Sequence, residues 1–170
     1  MRIFVVSVTN KAKKIKVFLT DVDGVLTDGG MYYSVKGDVM KRFFVRDGMG
    51  VTLLRKIGIP TVIVTKEKNP IITQWAKKMK VNKVYDGVQN KELILQEVCK
   101  SFDVTPEQVA YIGDDINDLG LLRIVGLSAV PNDGITDAKK ICDHVCKTSS
   151  GHGAFREIVD MIVSSTKVKS

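Results

Sequence analysis

The sequence predicts an α/β fold: a three-layer, Rossmann-like parallel sheet with helices on both faces, a small β-hairpin flap and no cap domain. Three observations predict it. Short β-branched runs alternate with helical patterns along the chain, which means parallel strands joined by crossover helices. Acidic residues fall at the carboxyl ends of those runs, where such sheets place their ligands. A length of 170 residues is enough for one ordinary domain with a sizeable core. The chain is read as one unit, 1–170, with a C-terminal tail at about 148–170.

The elements follow in order. Lys16–Thr20 reads as a strand ending at Asp21. Met31–Ser34 and Val39–Phe44 read as a hairpin turned at Lys36-Gly37-Asp38. Gly48–Ile57 is a helix closed by Gly58. Thr61–Thr65 is a buried strand. Pro70–Met79 is a helix with Ile71, Ile72, Trp75 and Met79 on its apolar face. Lys83–Tyr85 is a short strand. Lys91–Phe102 is a helix with Leu93, Ile94, Val98 and Phe102 as core candidates. Thr105-Pro106-Glu107 starts a turn into the strand Val109–Ile112. Ile116–Val125 and Ile135–Cys142 are helices, Gly126–Val130 and His144–Lys147 strands, and Ala154–Val163 a final helix.

Composition narrows the function. Hydrophobic residues at 44% and charged residues at 26% fit a soluble globular chain. No apolar run approaches the roughly 20 residues of a membrane span. Met1–Val8 is apolar, but lysines follow it and no small-residue cleavage site closes it, so it is a poor secretory signal. A cytoplasmic location is expected. Cys99, Cys142 and Cys146 fit reduced thiols. Cys142, His144 and Cys146 match no standard zinc spacing and read as thiols on a buried strand. The net charge of +7 favours anionic partners. Much of the excess lies near the ends, in Lys11, Lys13, Lys14, Lys16, Lys167 and Lys169. No basic-aromatic nucleic-acid motif accompanies it.

The chemistry gathers at three strand ends. Asp21-Val22-Asp23-Gly24 places two carboxylates two residues apart at a strand-to-loop turn. One can attack while the other moves protons. A carboxylate attacking a phosphoryl group needs a cation to offset repulsion. Magnesium suits this, since it takes oxygen ligands and leaves positions for phosphate. Gly113-Asp114-Asp115-Ile116-Asn117-Asp118 supplies more carboxylates. Thr65 offers a hydroxyl and an amide, and Lys91 a positive charge, to hold phosphate oxygens. Singly, each has an ordinary structural explanation: a turn, a strand-end hydroxyl, a solvated helix lysine. Together and in this order they point to phosphoryl transfer.

That ordered set resembles the haloacid dehalogenase superfamily of phosphatases, over roughly Lys16 to Val163. The resemblance implies Asp21 as nucleophile and Asp23 as general acid/base. It implies magnesium held by the side chains of Asp21 and Asp114 and the backbone carbonyl of Asp23. Thr65 and Lys91 would bind phosphate, with Asp115 and Asp118 as supporting carboxylates. About 40 residues separate Asp23 from Thr65 and about 25 separate Thr65 from Lys91, too few for an inserted cap domain.

The chain resembles one capless branch in particular, the phosphatases of 3-deoxy-2-keto sugar acids. Asp21–Gly29, the flap, Val45–Gly50, the GDDIND run and the glycine-rich SSGHGAFREI near the C-terminus carry that likeness. It implies a small sugar acid phosphate as substrate and a homotetramer whose tail reaches a neighbouring site. Arg46 would face the sugar acid and Arg156 would lie near a neighbouring site; the bland alternative for both is a surface ion pair. The octulosonate 8-phosphate enzymes usually follow the threonine with Gly-Arg. Here Lys66, Glu67 and Lys68 follow, which looks more like relatives acting on nine-carbon acids. Val125–Pro131 and the tail are also similar to the phosphatase-like domain of animal cytidylyl-sialate synthetases. A nonulosonate 9-phosphate is therefore the favoured substrate, with Glu67 and Lys68 contacting the leaving group and Lys66 beside the phosphate loop. The alternatives are 3-deoxy-manno-octulosonate 8-phosphate, and a non-catalytic assembly domain of the synthetase-fused kind. Intact Asp21, Asp23, Lys91 and Asp114 argue for catalysis.

Overall fold

The computed structural model describes residues 7–166. Most of Met1–Val8, and Lys167 and Lys169, lie outside them. Helix α1 (Val8–Ala12), which the sequence reading lacks, opens the described chain; Ser7 caps it by accepting the Asn10 N–H. The strands and helices then alternate: β1 (Val17–Thr20), the flap strands β2 (Tyr32–Ser34) and β3 (Gly37–Met40), α2 (Val45–Lys56), β4 (Thr61–Val64), α3 (Pro70–Met79) and β5 (Lys83–Tyr85). After them come α4 (Ile94–Phe102), β6 (Val109–Ile112), α5 (Leu119–Ile124), β7 (Leu127–Val130), α6 (Thr136–Ile141), β8 (His144–Val145) and α7 (Ala154–Thr166).

Six strands form one parallel sheet in the order β5-β4-β1-β6-β7-β8. β1, β4, β6 and β7 are buried along their whole length, as expected of strands covered on both faces. Their side chains alternate between two cores. Phe18, Ile63, Ala110 and Ile112 join residues of α1, α2, α3 and α7 on one face. Val17, Leu19, Val62, Val64 and Tyr111 join residues of α4, α5 and α6 on the other. Phe18 meets Phe155 of α7 edge-on at 5.0 Å. Gly50 lets α7 come close: a Cβ there would stand 3.0 Å from the Phe155 ring.

Three expectations shift. The run Val39–Phe44 is a strand only to Met40, because its partner β2 supplies pairing only as far as Tyr32↔Met40. Phe43 instead bridges Thr27 and stacks on Trp75 at 4.7 Å, and α2 starts at Val45 rather than Gly48. Leu93 is 68% exposed, while Leu95 is buried. The turn Lys91–Leu93 is a 3-10 turn, whose tighter winding moves the phase of the apolar face. The described part of the expected tail is largely α7, a core helix with Phe155, Ile158, Val159 and Ile162 buried.

Candidate active site

The parallel topology brings the ends of β1, β4 and β6 side by side. β1 lies between β4 and β6, so Asp21, Thr65 and the Asp114–Asp118 loop surround one cleft of about 220 Å³. Asp21, Asp23, Thr65, Lys66, Glu67, Asp114, Asp115 and Asn117 line it. The turn after β1 is tight: Thr27 N–H and Leu26 N–H both donate to the Val22 carbonyl, at 3.0 and 2.9 Å. Gly24 adopts φ +82°, and a Cβ there would lie 2.0 Å from Asp114 Oδ2. The glycine thus makes room for a carboxylate from another loop.

Lys91 is fully buried, which excludes the ordinary alternative of a solvated helix lysine. Its Nζ lies 2.8 Å from Asp21 Oδ2 and 2.6 Å from Asp118 Oδ1. Burial disfavours its charge, but Asp21 and Asp118 outweigh that and hold it protonated above its ordinary range. Asp118, also fully buried, organises the site. Its Oδ1 accepts Tyr111 Oη at 2.6 Å as well as Lys91, and its Oδ2 accepts the Asp114 and Asp115 N–H groups at 2.7 and 3.0 Å. Asp115 Oδ1 accepts the Ile116 N–H at 2.7 Å and so starts the next turn.

The carboxylates of Asp21, Asp114 and Asp118 offer oxygens within 4.8 Å of one another. Burial raises Asp21 to about 7, against the pull of Lys91. Burial, then the charges of Asp21 and Asp118, raises Asp114 to about 8. Asp114 Oδ1 is buried without a hydrogen-bond partner. Asp118 accepts two donors at each oxygen, whereas Asp21 accepts one at each, the Val22 N–H on Oδ1 and Lys91 on Oδ2, so Asp21 and Asp114 keep lone pairs that Asp118 has committed. An all-oxygen set with an orphaned carboxylate oxygen fits a hard divalent cation such as magnesium.

Sequence reasoning missed two residues here. Tyr111 reads as an apolar strand position, yet its hydroxyl lies 3.3 Å from Lys91 Nζ and donates to Asp118. Lys41, just past β3, places its Nζ 2.7 Å from Asp23 Oδ1, 3.1 Å from Glu67 Oε2 and 3.6 Å from Asp38 Oδ2. A lysine among apolar residues in the flap carries no sequence signal of that contact. Burial acts against its charge, but the hydrogen bonds to Asp23 and Glu67 prevail and raise it above its usual range.

The four other residues singled out by resemblance divide between the cleft and two neighbouring hollows. Glu67 lines the cleft and pairs with Lys41. Lys68 turns away: it lies against Gly87 and lines a separate groove with Asn69 and Asp86. Arg46 and Arg156 line a neighbouring hollow of about 750 Å³ together with Phe43, Phe44, Trp75 and Lys41. Arg156 Nε also pairs with Asp160 at 2.7 Å. Elsewhere, His144, Cys146 and Glu157 come together. Glu157 accepts the Lys147 and Thr148 N–H groups and the Thr148 hydroxyl there, and the Cys146 thiol faces the Ala154 carbonyl. Of the basic N-terminal residues, Lys11 pairs with Asp143.

A family model described as haloacid dehalogenase-like hydrolase matches residues 61–158. The chain belongs to the haloacid dehalogenase-like hydrolases. Within them it falls in the capless sugar-acid phosphatase branch. It is 38% identical over 155 residues to the 3-deoxy-D-manno-octulosonate 8-phosphate phosphatase of Haemophilus influenzae, covering 91% of this chain and 86% of that protein. It is 33% identical over 153 residues to the enzyme of the same name from Escherichia coli K12, covering 90% and 81%. The cobalt-bound Haemophilus influenzae enzyme superposes with a TM-score of 0.90 over 92% of each chain. The Moraxella catarrhalis phosphatase, solved with magnesium, phosphate and a KDO molecule, is 31% identical and superposes with a TM-score of 0.91 over 94% of this chain and 92% of that one.

Proposed function

We propose that this haloacid dehalogenase-like hydrolase is a magnesium-dependent phosphatase of a 3-deoxy-2-keto sugar acid phosphate, with 3-deoxy-manno-octulosonate 8-phosphate as the preferred substrate. The observation that carries the chemistry is the buried Asp21–Lys91–Asp118 chain beside Asp114. The observation that carries the substrate is the set of octulosonate phosphatases the chain resembles along nine-tenths of its length. This reverses the preference for a nine-carbon acid, which rested on Glu67 and Lys68 and on the likeness of Val125–Pro131 and the tail to the synthetase-fused domain. Glu67 is engaged by Lys41 and Lys68 lies outside the cleft, so that pair gives the nonulosonate reading little support.

In the proposed reaction Asp21 attacks phosphorus and Asp23 gives its proton to the departing sugar oxygen. Asp23 then takes a proton from the water that cleaves the aspartyl-phosphate. Lys91 holds a phosphate oxygen, and Thr65 presents its hydroxyl from the end of β4. Asp118 fixes Lys91 and the Asp114–Asp115 backbone; Asp115 supports that turn. Asp21, Asp114 and the Asp23 carbonyl would hold magnesium, which supplies charge neutralisation for the phosphoryl group. Arg46, Arg156 and Lys66 would meet the acidic sugar, Arg by its planar fork. A homotetramer in the cytoplasm completes the reading. Exposed flap residues, Met31, Tyr33, Val35 and Val39 among them, offer apolar surface for a second copy to cover.

The test is phosphate release with and without magnesium from the octulosonate 8-phosphate, two nonulosonate 9-phosphates and unrelated sugar phosphates. Magnesium-dependent turnover with the octulosonate preferred is the expected result. Preference for a nine-carbon acid restores the earlier substrate, and no release from any supports a non-catalytic assembly domain.

A further inference from the structure

Lys41 sits at a junction that the catalytic residues alone do not explain. Its side chain is only 5% exposed although it leaves the end of an exposed hairpin. It touches Asp38 of the flap, Asp23 of the loop after β1, and Glu67 of the loop after β4. The flap is further tied to that second loop by Asn69, whose Nδ2 donates to Asp38 Oδ2 at 3.1 Å. Burying an ammonium group is costly unless carboxylates surround it, so this placement reflects a specific arrangement rather than a solvated side chain folded back.

The consequence for Asp23 is asymmetric. Its Oδ1 accepts two donors, Lys41 Nζ at 2.7 Å and Thr27 Oγ1 at 3.2 Å. Its Oδ2 is buried and has no partner. Two donors on one oxygen fix the rotation of the carboxyl group and leave the other oxygen as its only uncommitted atom.

We propose that Lys41 is a positioning residue: by clamping Asp23 Oδ1 it dedicates Oδ2 to proton transfer, and it makes that alignment depend on the flap and on Glu67. The proposal rests on the reading of Asp23 as the acid. In the step concerned, the Asp21 oxygen forms its bond to phosphorus as the bond from phosphorus to the leaving oxygen breaks. The proton on Asp23 passes to that oxygen. A misaligned Asp23 therefore harms esters in proportion to how much their leaving oxygen needs the proton.

The experiment is kcat/KM for Lys41→Met across a series of phenyl phosphates of similar shape, from p-nitrophenyl to unsubstituted phenyl, plus the octulosonate 8-phosphate. kcat/KM reports events up to departure of the leaving group. The loss should be smallest for the nitrophenyl ester and grow by about 10–100-fold toward phenyl and sugar leaving groups. Lys41→Arg, which keeps a charged donor, should recover most of it. A loss of phosphate affinity would fall equally on every ester. A uniform loss, or none, therefore overturns the proposal. Should Lys41→Met not fold, Lys41→Gln is read in the same way, since it shortens the reach and removes the charge. Asp23→Asn separates the two levels. If it steepens the leaving-group dependence and the Lys41 variants do not, the positioning role fails. If Asp23→Asn itself lowers all esters equally, the acid role of Asp23 fails beneath it.

Discussion

Gly24→Ala is a one-methyl change that should disable the site without replacing a catalytic residue. Two effects add. Gly24 has φ +82°, and a left-handed backbone costs an alanine about 1–2 kcal/mol. The new Cβ would also stand 2.0 Å from Asp114 Oδ2 and 2.5 Å from its Cγ, whereas ordinary contact begins at 3.4 Å. The carboxyl must therefore move by about 1.4 Å, the difference between 3.4 and 2.0. If Asp114 holds magnesium as proposed, displacing it by that much should weaken magnesium-supported turnover by at least about 10–100-fold. Magnesium titration of phosphate release measures the second effect, and urea unfolding without metal measures the first. The two separate in a double-mutant cycle. Once Asp114→Ala has removed the carboxyl, adding Gly24→Ala should still cost stability but no further activity. Wild-type activity of Gly24→Ala at the same magnesium concentration would refute the argument that Asp114 is a ligand seated on a glycine.

Other predictions follow from the buried charges. Asp118→Ala leaves Lys91 with Asp21 as its remaining carboxylate and takes the acceptor from the Tyr111 O–H and from two backbone N–H groups. It should cost about 3–5 kcal/mol of stability by urea unfolding; a loss under about 1 kcal/mol would contradict the network. Asp47 is buried at the start of α2, with one oxygen accepting the Arg156 N–H at 2.9 Å and the other unpartnered. Burial raises it from 3.8 to about 7, against the Arg156 and His152 interactions. Its protonated form is thus favoured in the folded state. That contribution is fully present below the unfolded value and is lost as pH rises toward about 7. Asp47→Asn should flatten this loss, which is on the order of 3–4 kcal/mol at most. Parallel pH–stability curves for the two proteins between pH 4 and 7, a window set by that raised value, would contradict it.

Much of the fold was legible because buried parallel strands read as apolar, β-branched runs, and here each run after the first leads through a loop into a helix, while β1 leads into the flap. Asp21, Thr65 and Asp114 were found because they sit at those ends, a position that topology alone makes shared. The failures have specific causes. Leu93 was misplaced because a 3-10 turn at Lys91–Leu93 changes the winding. Tyr111 was hidden because a strand residue in one core looks the same whether its tip is apolar or donates to Asp118. Lys41 was hidden because its partners lie 18 and 26 positions away along the chain, at Asp23 and Glu67, and only the folded flap brings them within reach. Lys68 was placed by likeness to a neighbouring motif; the backbone after Thr65 points Lys66 and Glu67 into the cleft and carries Lys68 out of it.

In the proposed mechanism phosphate passes through Asp21. That step is tested most directly by quenching the enzyme during turnover of the octulosonate 8-phosphate with magnesium, reducing it with borohydride, and mapping the peptides by mass spectrometry. Borohydride converts an aspartyl-phosphate to homoserine, so homoserine is expected at position 21, absent without substrate and absent in Asp21→Asn. Turnover with no homoserine at position 21, or with homoserine at another acid, would contradict it.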